Sequence, residues 1–108
     1  MKSGFSPPFA AAVLAGFSLM MSTGCKKTDE NSINIGEVAA MTGGTATFGQ
    51  SSHNGTQLAV DEINASGGLL GKKINLITED DQSKQGEAGI VAKKLISRSK
   101  VSALLGEV

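Results

Sequence analysis

Apolar and polar positions alternate along this chain in two periods, and they divide it into five elements. Ile33–Ala40 (Ile-Asn-Ile-Gly-Glu-Val-Ala-Ala) has the length and β-branched content of a strand. From Ser51 to Ala65 the spacing turns helical, with Gly55, Leu58, Ala59, Glu62 and Ile63 on one side and Asp61 and Asn64 on the other. That side is expected to face a sheet, with Gly55 at the closest approach. Ser66-Gly67-Gly68 stops the helix, because glycine takes the left-handed conformation that a helix end favours. Lys73–Thr78 is a second strand and closes in Glu79-Asp80-Asp81.

The second helix carries the clearest period, with Ala88, Val91, Ala92, Leu95 and Ile96 at i, i+3, i+4, i+7 and i+8. Ser83 is its expected N-cap. Lys93, Lys94, Arg98 and Lys100 gather in its last turns, where cations suit the negative end of the helix dipole, and read as a solvated helix end. Val101–Leu105 is a nearly continuous apolar run, expected as a parallel strand covered on both faces. The order β-α-β-α-β is half of a doubly wound α/β lobe. Right-handed crossovers place the two helices on opposite faces only if the parallel strands lie in the order 2-1-3. In that order a crevice opens beyond the C-terminal ends of strands one and three.

One wall of this crevice is the stretch Met41–Gln50, read as a strand-to-helix loop. Gly43, Gly44 and Gly49 let its backbone come close to a small molecule, and Thr42, Thr45 and Thr47 add hydroxyls. Phe48 is the only aromatic residue after the first 24. Flanked by glycine and polar residues, it reads as a site residue more readily than as core. Thr42, Thr45, Thr47 and Phe48 are therefore the candidate ligand contacts, with Phe48 foremost.

Composition narrows the class. Ten Lys+Arg balance ten Asp+Glu, so no field draws nucleic acid or an anionic membrane. A hydrophobic share of 40% with 4% aromatic describes an aliphatic globular core. The single cysteine excludes an intramolecular disulfide and a cysteine metal cluster, and no metal site or cofactor is indicated.

The first 24 residues read as a signal peptide: Lys2 gives a minimal positive start, and an uncharged apolar stretch runs from Phe5 to Met21. The 13 residues after Pro8 are short of the ~20 needed to span a bilayer. Ser22-Thr23-Gly24 before Cys25 resembles a bacterial lipoprotein cleavage box, with Ser22 where that box usually has leucine. Lipidation at Cys25 is expected, with plain small-x-small cleavage as the competitor, and it accounts for an odd cysteine in an exported chain. Residues 25–32 then form a polar tether, and 33–108 the domain.

Thr42-Gly43 and Phe48-Gly49, Gly55 with Leu58-Ala59-Val60-Asp61-Glu62-Ile63-Asn64, Gly67-Gly68, Gly71-Lys72-Lys73-Ile74, Asp80-Asp81, and Lys94-Leu95-Ile96 together resemble the N-terminal lobe of leucine/isoleucine/valine-type periplasmic binding proteins. These are the amino-acid receptors of ABC importers. The resemblance covers Ile33 to Val108, and the helix-one run with its following glycines is its most specific part. It implies a type I periplasmic binding protein lobe, a protein several times longer of which this chain is the N-terminal part, and a ligand closed between two lobes. It implies binding without catalysis, a small amino acid as ligand, an ABC permease as partner, a membrane reached through the lipid anchor, and a location in the periplasm or cell envelope. Of the candidate contacts only Phe48 matches a family ligand-contacting position, an aromatic that walls the pocket.

A nucleotide-binding α/β enzyme is the rival. Gly43-Gly44 followed by Gly49 is not G-x-G-x-x-G, and Gly67-Gly68-Leu69-Leu70-Gly71-Lys72-Lys73 has the wrong spacing for a P-loop and leads from helix into strand. Asp80 and Asp81 read as turn and cap residues ahead of metal ligands or phosphoacceptors. His53 reads as an exposed helix-start residue, and Ser51 and Ser52 as caps of helix one. Glu37 is the misfit, a carboxylate inside a strand expected to be buried on both faces.

Overall fold

The computed structural model describes residues 30–107. The signal segment expected at 1–24, Cys25 and the tether as far as residue 29 lie outside the described residues. The five elements are β1 (Ser32–Ala39), α1 (Ala46–Ala65), β2 (Lys73–Asp80), α2 (Gln85–Ser97) and β3 (Ala103–Leu105). The sheet is parallel throughout in the order β2-β1-β3, as the crossover argument requires. Ile33 stands opposite Ile74, Glu37 opposite both Thr78 and Leu105, and Ala39 opposite Asp80.

The two faces of β1 hold their helices by different means. Towards α2, Val38, Val91 and Leu95 form the buried core, with Ile77, Ala88, Ala92 and Val101 packed around them. Leu95 is wholly buried, which stabilises by about 2 kcal/mol relative to exposure. Gly36 lies under it, and a Cβ there would meet Leu104, Leu95 and Val101 side chains. The period read from Ala88, Val91, Ala92 and Leu95 thus faces the sheet, whereas Ile96 points outward.

Towards α1 the contact is largely polar, contrary to the expected helix face. Gly49 and Val60 are the buried residues of α1, and His53, Thr56 and Asn64 are half-buried beside them. Leu58 and Ile63 are exposed, and Gly55 has no atom within 4 Å of a Cβ position. The helix is turned because polar side chains match the sheet beneath. Asn64 donates to the Ile74 carbonyl (2.9 Å) and accepts from the Ile74 amide (2.8 Å), and His53 meets Glu37, as described below.

Three further expectations give way. α1 begins at Ala46, so Thr47, Phe48 and Gln50 belong to its first turn and not to a loop; Ser51 donates to the Thr47 carbonyl within the helix and caps nothing. β3 is exposed along its length, because it is an edge of the described sheet with nothing laid over it. Lys94 is not merely solvated, since it lies 2.8 Å from Glu79 of β2. α1 ends as expected, with Gly67 and Gly68 at positive φ and the Gly68 amide bonded to the Ile63 carbonyl (2.9 Å).

Candidate functional site

Beyond β1 the chain turns at Ala40–Thr45 into α1, at the C-terminal edge of the sheet. Gly49 is the reason α1 can begin so close to the strand. A Cβ on it would stand 2.1 Å from the Ala40 carbonyl oxygen, so only glycine allows the first turn to rest on the end of β1. Phe48, one residue earlier, is 69% exposed and faces away from the core. Thr47 is exposed beside it, and its hydroxyl has no hydrogen bond among the described residues.

Thr42 and Thr45 are in a different situation, for their hydroxyls are already engaged. The Thr42 hydroxyl donates to Asp80 Oδ2 (2.6 Å), and the Met41 (2.9 Å), Thr42 (3.2 Å) and Gln82 (2.8 Å) amides all donate to Asp80 Oδ1. The Thr45 amide (3.0 Å) and hydroxyl (2.9 Å) donate to Ser83 Oγ, which donates in turn to the Thr42 carbonyl (2.9 Å). The Thr42 hydroxyl above all, then the Gln82 amide, hold the Asp80 carboxyl below its ordinary range. Thr42 and Thr45 retain acceptor lone pairs for a ligand, whereas Thr47 and Phe48 are unencumbered.

Ser83 is therefore not the N-cap of α2. Its backbone is left-handed (φ 60°) and its side chain serves the neighbouring loop, while Lys84 occupies the N-cap position without a side-chain capping bond to the helix. Asp80, the last residue of β2, and Asp81 after it hold the turn as expected, accepting from the Gln82 and Ser83 amides, but neither caps α2. Asp81 is fully buried, with Oδ1 accepting from the Ser83 amide (2.9 Å) and Oδ2 without a partner among the described residues. No group of three or more His, Cys, Asp or Glu among the described residues is arranged to hold a metal ion.

Glu37 finds its partners on α1 and β2. It is 3% exposed, its Oε2 lies 2.7 Å from His53 Nδ1, and the Thr78 hydroxyl donates to the same oxygen (2.9 Å). Burial pushes the Glu37 carboxyl up, but the hydrogen bonds from His53 and Thr78 and the charge of His53 more than offset it, leaving the pKa lowered. His53 is accordingly a half-buried strut and not an exposed helix-start residue. The pairing was open to inference from a buried strand carboxylate that needed a donor, with Thr78 opposite it in register.

Comparison with known proteins now bears on this edge of the sheet. The family model described as periplasmic binding protein matches residues 32–108. This chain belongs to that family. An amino acid binding protein of Pseudomonas aeruginosa is 38% identical over 72 residues, which are 67% of this chain and 19% of the relative. A Leu/Ile/Val-binding protein of Rhizobium johnstonii is 42% identical over 64 residues, 59% of this chain and 17% of the relative. The crystal structure of the branched-chain amino acid transporter substrate binding protein of Streptococcus pneumoniae in complex with isoleucine superposes with a TM-score of 0.69 at 43% identity, covering 70% of this chain and 22% of that one. The chain thus spans about a fifth of the length of the periplasmic binding proteins it matches, and its β2-β1-β3 sheet with two flanking helices is a partial type I lobe of that family.

Proposed function

We propose that this chain is the first part of the N-terminal lobe of a solute receptor, the substrate-binding component of an ABC importer that takes up a small amino acid of branched-chain type. The ligand is captured between two lobes and handed to an inner-membrane permease, with no covalent chemistry. The observation that carries the reading is Phe48, a large apolar side chain exposed at the start of α1 on the rim of the crevice edge, where open α/β sheets take their ligands. The names of the relatives support an amino acid as ligand, and family membership supports export to the periplasm. Thr47 supplies a free hydroxyl for a polar group of the ligand, and Thr42 and Thr45 hold the loop while offering lone pairs.

The nucleotide alternative loses support at the glycines. Gly43 is pressed against the Asp80–Ser83 turn and Gly49 against Ala40, so neither is available to cradle a phosphate. Calorimetric titration of the full-length protein with a panel of amino acids tests the reading, and saturable binding of leucine, isoleucine or valine is expected. No saturable binding to any amino acid removes it. Lipidation at Cys25 is part of the same proposal: Cys25→Ser is expected to move the protein from the membrane fraction to the soluble periplasmic fraction.

A further inference from the structure

The β1–α1 loop is held across 38 to 41 residues of sequence by one short turn. Asp80 takes four hydrogen bonds, three of them from Met41 and Thr42. Ser83 accounts for three more, all with Thr42 and Thr45. The fit is close: Gly43 has φ +90° and a Cβ there would stand 2.4 Å from the Gln82 carbonyl oxygen and 2.7 Å from Ser83 Oγ. The turn itself is strained, with Gln82 (φ 58°) and Ser83 (φ 60°) both left-handed and neither a glycine. Such conformations persist only where the surroundings over-determine them, and they gather where a segment must be held in place. What is held here is the entry to the helix that presents Thr47 and Phe48.

We propose that Asp80 and Ser83 are positioning residues for ligand binding, fixing the β1–α1 loop so that Phe48 and Thr47 are preset for the ligand without Asp80 or Ser83 touching it. The inference rests on the reading that this loop faces an amino-acid ligand. A preset loop avoids an ordering cost at each binding event, so loosening it lowers affinity by the fraction of molecules in which the loop is out of place.

The test uses the full-length protein and titration with leucine, isoleucine and valine. Asp80→Asn keeps the shape but loses the charge and the acceptor for the Thr42 hydroxyl, and Ser83→Ala removes all three of its loop bonds. Each is expected to weaken binding on the order of tenfold, the size of a modest coupling between positions. Phe48→Ala is expected to cost less affinity in the Asp80→Asn background than alone, because the ring is already misplaced there. Costs that simply add identify a structural role only and overturn the proposal, as do variants that bind like wild type. If Asp80→Asn does not fold, Ser83→Ala and its combination with Phe48→Ala carry the same decision. A wild-type protein that binds no amino acid removes the functional reading and this inference together, whereas wild-type binding with unaltered variants removes the inference alone.

Discussion

Replacing Glu37 by glutamine sets two large effects against each other. The carboxylate is 3% exposed, so removing its charge relieves a desolvation cost, yet two hydrogen bonds converge on Oε2 from His53 (2.7 Å) and Thr78 (2.9 Å). Hydrogen bonds to a charged group contribute about 1.5–3 kcal/mol and neutral ones about 0.5–1.5, so the two together weaken by about 2 kcal/mol. The lowered pKa decides the sign, because it means that the fold favours the ionised form despite burial. Glu37→Gln is therefore expected to destabilise by about 1 kcal/mol at pH 7, the part of that loss left after desolvation is relieved. His53→Ala leaves the carboxylate buried with fewer donors. Removing one partner of a fully buried pair costs about 3–5 kcal/mol; the 23% exposure of the His53 side chain admits water, and about 2 kcal/mol is expected.

The pH dependence follows from the same direction. Because the folded-state pKa of Glu37 is depressed, its contribution is fully present above its unfolded value, near 4.5, and is lost as pH falls through the lower folded value. Urea unfolding of the full-length protein at a series of pH values, with hydrogen exchange at the β1 amides reporting on this lobe, measures both effects. The acid limb below about pH 4.5 should be shallower in Glu37→Gln than in wild type. A variant as stable as wild type at pH 7, with an unchanged acid limb, would show that burial outweighs the hydrogen bonds and refute the reasoning.

Two glycines of α1 should respond in opposite ways. Gly49→Ala drives a methyl to 2.1 Å from backbone at Ala40 and is expected to cost about 3 kcal/mol, whereas Gly55→Ala, in open space within the helix, should stabilise by about 0.8–1 kcal/mol; equal effects in denaturant titration would contradict the orientation of α1. Leu95→Ala empties the centre of the α2-side core and is expected to lower stability by about 2–5 kcal/mol by the same measurement. Residues 33–108 alone leave Leu58, Ile63, Ile90, Ile96, Leu104 and Leu105 in water, so the isolated segment is expected to melt without a sharp transition by circular dichroism.

The element order, the 2-1-3 sheet and the glycine stop after α1 were legible because each depends on local signals or on crossover handedness. The inward face of α2 was legible for a similar reason, since Val91 and Leu95 meet the apolar Val38 and Ile77. The inward face of α1 was not. Its contact stripe of Gly49, His53, Thr56, Val60 and Asn64 is mostly polar or small, and it is selected by Glu37, Thr78 and the Ile74 backbone on the sheet. A rule that turns the most apolar side inward selects Leu58 and Ile63, which are exposed. The tie from Ser83 to Thr42 and Thr45 left no local trace either, because a serine shortly before a helical pattern reads equally well as its cap.

The contrast between the two sides of β1 bears on how the candidate loop works. Apolar packing against α2 is non-directional and tolerates small slides of the helix. Hydrogen bonds at Glu37–His53 and at Asn64–Ile74 fix distance and angle at two points along α1, and Gly49 fixes its height over Ala40. The Asp80–Ser83 turn then fixes the chain leading into that helix. Phe48 itself has almost no packing to locate it, being 69% exposed, so its position is inherited from these directional contacts on either side. Thr42 and Thr45 belong to the loop that is held, and Thr47 and Phe48 to the first turn of α1 that follows it. A polar helix-sheet contact, poor at driving collapse, is well suited to keeping a ring in place before any ligand arrives.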